Sequence, residues 1–132
     1  MKIAMIIDGR EPIFGGGQVH VKYLSEGLVT HYNCRVDVFV RKLKDDTGKK
    51  YTQDETKFDG KWRLFRIGPP TKFFNVVGRM LALIATTRYL LYKTVKERYD
   101  IIHAHAYVSG LPAKIVGLLT HTPVIYTVNG TM

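Results

Sequence analysis

Apolar residues along the chain fall into short continuous runs and into longer stretches spaced at helical intervals. Ile3 to Ile7 is an uninterrupted apolar run, the pattern of a strand buried on both faces. A loop from Asp8 to Phe14 follows, where Pro12 disfavours a helical residue before it. After Gly15-Gly16-Gly17, the residues Val19, Tyr23, Leu24 and Leu28 recur at helical spacing through about Thr30. Val36-Asp37-Val38-Phe39-Val40 alternates and is β-branched, which predicts a second strand. From Arg41 to Lys61 the chain is charged and turn-rich, with Asp45-Asp46-Thr47-Gly48 and Asp59-Gly60, predicting a long exposed excursion read as a hairpin. A third strand at Arg63–Ile67 is closed by Gly68-Pro69-Pro70. A long helix from Phe73 to Arg98 and a fourth strand from Ile101 to Ala106 come next. Ser109 is placed to cap a helix through Leu119 with Pro112 in its first turn, and Pro123 to Val128 is the fifth strand.

Buried strands alternating with helices predict an α/β fold: a Rossmann-like, doubly wound parallel sheet with helices on both faces. Right-handed crossovers give the five strands the order 3-2-1-4-5. The long helix is apolar far around its circumference, through Phe73, Val76, Val77, Met80, Leu81, Leu83, Ile84, Leu90 and Leu91. Arg79 and Arg88 break it well short of a membrane span. A helix of this kind is either covered by protein or seated in a lipid interface, and core packing is the expectation.

With 132 residues the chain can hold one domain and a core without staples. The lone Cys34 excludes an internal disulfide framework and points to a reducing compartment. The first apolar run stops at Asp8, so no secretory leader is expected and a cytoplasmic location is. The net charge of +9 is unevenly spread: beyond Ile67, Lys72, Arg79, Arg88, Lys93, Lys96, Arg98 and Lys114 face only Glu97 and Asp100. Such a surface favours anionic partners, although no zinc-finger or RNA-recognition pattern appears and nucleic acid is not expected.

Two groups of residues could carry chemistry. Gly15, Gly16 and Gly17 lie between a buried strand and a helix, where backbone N–H groups and the helix dipole attract a phosphate. They do not form a dinucleotide fingerprint, because His20 stands where the third glycine would be and Arg41-Lys42 follows the second strand. No Gly-Lys-Ser/Thr is present, which excludes a Walker A loop. His103 and His105 share one face of the fourth strand near its carboxyl end, the end at which parallel sheets bind ligands. Too few further ligands surround them for a metal, and none is expected. His103 is read as a hydrogen-bonded residue between strand and helix, His105 as the functional one. Asn129 at the mouth of the fifth strand is placed to face the same crevice.

Together these features resemble the N-terminal domain of family 4 glycosyltransferases, retaining enzymes with two Rossmann-like halves (the GT-B architecture). The resemblance runs through Pro12, the three glycines, Val19-His20-Val21, Leu24 and Arg35-Val36-Asp37-Val38. It resumes at Tyr99-Asp100-Ile101-Ile102-His103-Ala104-His105 and ends at Pro123-Val124-Ile125-Tyr126-Thr127-Val128-Asn129-Gly130. It implies transfer of a sugar from a nucleotide-sugar co-substrate to a sugar, lipid or small-molecule acceptor, with no other cofactor. Gly15, Gly16 and Gly17 inherit the donor or phosphate contact, His105 the catalytic position, and His20 and Asn129 the acceptor side. The family often has His where Asn129 stands here.

The family's donor-binding half, with its Glu-x7-Glu element, has no counterpart among Glu11, Glu26, Glu55 and Glu97. Residues 1–132 are therefore expected to be an incomplete N-terminal domain, inactive alone. A peripheral contact with the inner face of a membrane and a homodimer through an exposed edge or the long helix are further expectations. The alternative function is a non-catalytic module binding phosphorylated ligands or an anionic membrane surface.

Overall fold

The computed structural model describes residues 1–7, 16–44, 47–71, 75–105 and 110–127. In chain order they form β1 (Lys2–Ile6), α1 (Gly16–Tyr32), β2 (Arg35–Lys44), β3 (Lys50–Tyr51) and β4 (Glu55–Lys57). A short 3-10 turn at Phe58–Gly60 precedes β5 (Trp62–Thr71), α2 (Val76–Glu97), β6 (Ile101–His105), α3 (Gly110–Thr120) and β7 (Val124–Thr127). The sheet order is β4-β5-β2-β1-β6-β7, with β3 paired to β2. Its five long-range members, β5-β2-β1-β6-β7, run parallel in the order 3-2-1-4-5 that the sequence predicts.

Alternation along β1 explains the two helical layers. Ile3 and Met5 join Val21 and Val29 of α1 on one face, with Val36, Val38, Trp62 and Leu64 of the neighbouring strands. Ala4 and Ile6 join Leu90 of α2 and Ala113 and Val116 of α3 on the other. α2 carries the chain from β5 over the sheet to β6, so the strand order reverses between β1 and β6. In parallel sheets such a reversal is where a ligand crevice forms, at the carboxyl ends of the two strands.

Several boundaries differ from the sequence expectation. The excursion from Arg41 to Lys61 holds two short hairpins rather than one: β2 runs on to Lys44 and pairs antiparallel with β3, and β4 pairs antiparallel with β5. Arg66 organises this region, its backbone N–H donating to Asp54 Oδ1, its Nε to the Gln53 carbonyl and its Nη2 to Glu55, each at 2.9 Å. β5 does not close at Gly68 but continues through Pro69 and Pro70 to Thr71. The register jumps there, from Arg41 opposite Ile67 to Leu43 opposite Thr71, so both prolines sit in a bulge where no ladder N–H is required. Gly68 enters that bulge at φ 88°, a conformation open to glycine. The second helix starts at Val76, capped by Asn75 Oδ1 accepting from the Gly78 N–H at 2.8 Å. Phe73, Ala106, Ser109 and Val128 lie outside the described residues. All three helices end on a non-glycine residue in the left-handed region: Asn33 (φ 53°), Arg98 (φ 58°) and His121 (φ 55°).

At the amino ends of the strands an ionic knot joins three elements. Arg63 of β5 donates to both oxygens of Asp37 on β2 at 2.8 Å, and the Tyr99 hydroxyl donates to the same carboxylate. Burial, and then the Asp37 charge, push the Tyr99 phenol up, which keeps its proton in place for that bond. Asp37 is nearly inaccessible, so deleting its carboxylate leaves the phenol without its acceptor and the guanidinium with only the longer Glu97 contact at 3.6 Å. Asp37→Ala is expected to cost about 3 kcal/mol, read as a lower midpoint of urea unfolding. A change below about 1 kcal/mol would show the knot to be dispensable.

Candidate functional site

The crevice between β1 and β6 is built from the ends of three elements. Gly16 and Gly17 are not in a loop, as the sequence suggested, but form the first residues of α1. Their N–H groups are among the four at a helix start that have no intrahelical acceptor, and so remain suited to an anion. One turn further, His20 is exposed. β6 delivers His105 at its last residue, adjacent to β1 in the sheet. The His20 and His105 rings meet edge to face with centroids 5.8 Å apart. His103, two residues back on the same face, lies against His105 with centroids 4.0 Å apart. Gly16, Gly17, His20 and His105 thus gather at one end of the sheet, while Gly15 and Asn129 lie outside the described residues.

The two strand histidines differ in their surroundings. His103 Nε2 shares a hydrogen bond with Thr127 Oγ1 at 2.6 Å. Its partner is the side chain of Thr127 on the neighbouring strand β7. Thr127, opposite His105 in the parallel register, was not singled out from the sequence. The signal was there: it is a hydroxyl in the otherwise apolar or aromatic run Val124–Thr127, in register with a histidine. His105 is fully buried, and neither of its ring nitrogens has a hydrogen-bond partner among the described residues.

Burial, followed by the proximity of His103 and His20, pushes the His105 imidazole down to about 3. Burial and then His20 also lower His103. Around neutral pH both rings are therefore neutral, and His105 offers one N–H donor and one acceptor nitrogen. Such a group can hydrogen-bond a hydroxyl or an ester oxygen, but it brings no positive charge. Among the described residues no group of three or more His, Cys, Asp or Glu is arranged to hold a metal ion. A separate groove of about 880 Å³ lies between α3 and β7, lined by Leu111, Lys114, Leu118, Val124 and Tyr126. None of the three histidines lines it.

Residues 14–132 match Glycosyltransferase Family 4. Two solved structures of sucrose-phosphate synthase from Thermosynechococcus elongatus share the fold. One superposes with a TM-score of 0.77 at 20% identity, covering 98% of this chain and 33% of that one. The other gives a TM-score of 0.73 at 18% identity, covering 98% of this chain and 64% of that one. The chain therefore spans less than two thirds of either. No curated protein matches the sequence.

The depressed histidines link stability to pH in a definite direction. In the unfolded chain both return to the ordinary value near 6.5, while in the folded chain both rings take up their protons only at lower pH, His105 at about 3. Their contribution is whole above about pH 6.5 and falls as the pH drops toward the His105 value of about 3. For His105 the slope approaches about 1.4 kcal/mol per pH unit. Denaturation midpoints compared at pH 7 and pH 5 should converge by about 1–2 kcal/mol in His105→Gln relative to the parent. An unchanged pH dependence in that variant would contradict the assignment.

Proposed function

Because the chain belongs to Glycosyltransferase Family 4, we propose that residues 1–132 form the acceptor-side, N-terminal part of a retaining transferase that uses a nucleotide-sugar donor. The observation that carries this reading is the His105 ring, buried and unpartnered among the described residues, beside the start of α1. A neutral donor there can hold a sugar hydroxyl near the reacting carbon without repelling the positive charge that develops as the leaving group departs. The N–H groups of Gly16 and Gly17, at the start of α1 where no intrahelical acceptor is available, supply attraction for phosphate oxygens. Gly16, Gly17, His20 and His105 make one wall of the site. The opposite wall, where a departing diphosphate is stabilised, is the larger electrostatic task and falls to the donor-binding half.

Two outcomes test this division of labour. Residues 1–132 alone should not turn over any nucleotide sugar, and a single turnover by the purified chain would refute that part. In the intact transferase, His105→Ala should lower kcat at least about 100-fold, a loss of about 2.7 kcal/mol in transition-state stabilisation. Its melting temperature should change far less than that loss of rate implies. Equal losses in activity and in folded fraction would reduce His105 to a packing residue.

A homodimer belongs to the same proposal. Among the described residues β7 has a sheet neighbour on one side only, and Val124, Ile125 and Tyr126 are exposed. Main-chain groups on such an edge pair readily with a second copy. Residues 1–132 should form dimers whose population grows with added salt, as screening weakens the repulsion of a +9 chain. Sedimentation as a 15.1 kDa monomer at high protein and salt would count against it.

A further inference from the structure

Helix α2 has its bulky side chains on the wrong side for a core helix. The residues it turns toward the sheet begin with Gly78, Ala82 and Thr86, and only then Leu90. A Cβ at Gly78 would come within 2.2 Å of the Thr71 hydroxyl, so the helix sits too close to the end of β5 for larger groups. Val76, Val77, Met80, Leu81 and Ile84 instead point outward and are 49% to 69% exposed. Their spacing places all five on one face across the first two and a half turns. α3, packed beside α2 on the same side of the sheet, exposes Leu111, Leu118 and Leu119 in the same way. The core expectation for this stretch is thus overturned for the outer face.

The charge around this face is of one sign. Arg88 and Lys96 are exposed on α2 and Lys114 on α3. The sequence holds no Asp or Glu between Lys61 and Lys96, and none after Asp100. A second copy would bring the same positive rim against itself. An anionic bilayer offers both what the apolar residues and what the cations lack. No helix among the described residues is long and apolar enough to cross a membrane.

We propose that the outer face of α2, extended by α3, seats this chain on an anionic lipid surface with the helices lying in the interface plane. Vesicle partitioning, not sugar transfer, reads this out, so the proposal and the transferase reading can fail separately. At low ionic strength residues 1–132 should float with vesicles of phosphatidylglycerol and phosphatidylcholine at least tenfold better than with phosphatidylcholine alone. Met80→Glu combined with Ile84→Glu should lower that partitioning at least tenfold with an unchanged circular dichroism spectrum. If that pair fails to fold, the milder Met80→Ser with Ile84→Ser should still lower it several-fold. Arg88→Glu with Lys114→Glu should also weaken it and flatten its salt dependence. Equal partitioning on neutral vesicles, or partitioning untouched by these variants, would overturn the proposal. So would variants that change only the sedimentation coefficient, since the occupant of the face would then be a second copy.

Discussion

Strand β1 has no buried side chain that water could solvate, and everything else follows from covering it. Ile3, Ala4, Met5 and Ile6 alternate between two faces with exposures of 6% or less. One sheet face must therefore carry α1 and the other α2 and α3. Covering both faces with parallel strands forces the crossover of α2, and that crossover creates the reversal between β1 and β6. The crevice that holds His105 is a consequence of hiding a hydrophobic strand.

What the crevice can bind is limited by its own electrostatics. His105, fully buried and in ring contact with His103 and His20, stays neutral well below physiological pH, and His103 is lowered as well. Among the described residues, attraction for an anion at this end of the sheet comes from the start of α1. Orientation, by contrast, is well provided for. The His103–Thr127 hydrogen bond ties β6 to β7 just behind His105 and fixes the plane against which that ring rests.

The five parallel strands were legible because each is a β-branched or apolar run whose register the core enforces. β3 and β4 were not. They are two and three residues long and polar, and what holds β4 and its approach is the reach of one buried arginine, Arg66, from the next strand. The extension of β5 through two prolines was hidden for a related reason: a bulge removes the hydrogen-bond requirement that makes proline a terminator. His105 could be found from the spacing of two histidines and from the topology rule for parallel sheets. Its contact with His20 could not, because the rotational phase of a helix against a strand is a property of packing. The outer face of α2 was half legible: periodicity identified the apolar positions, but not that Gly78 and Ala82 would draw the helix inward by their small size.

The three helix ends carry a different message. Asn33, Arg98 and His121 each hold a left-handed backbone that glycine would adopt at about 1 kcal/mol less strain. Each lies on the loop leading into the amino end of a strand, away from the crevice at the carboxyl ends. The fold thus keeps an unused reserve of stability at three helix ends remote from the histidines. An engineer could draw on it to tolerate costlier changes around the histidines. Natural variation could use it in the same way, letting the crevice diversify while the scaffold beneath it stays folded.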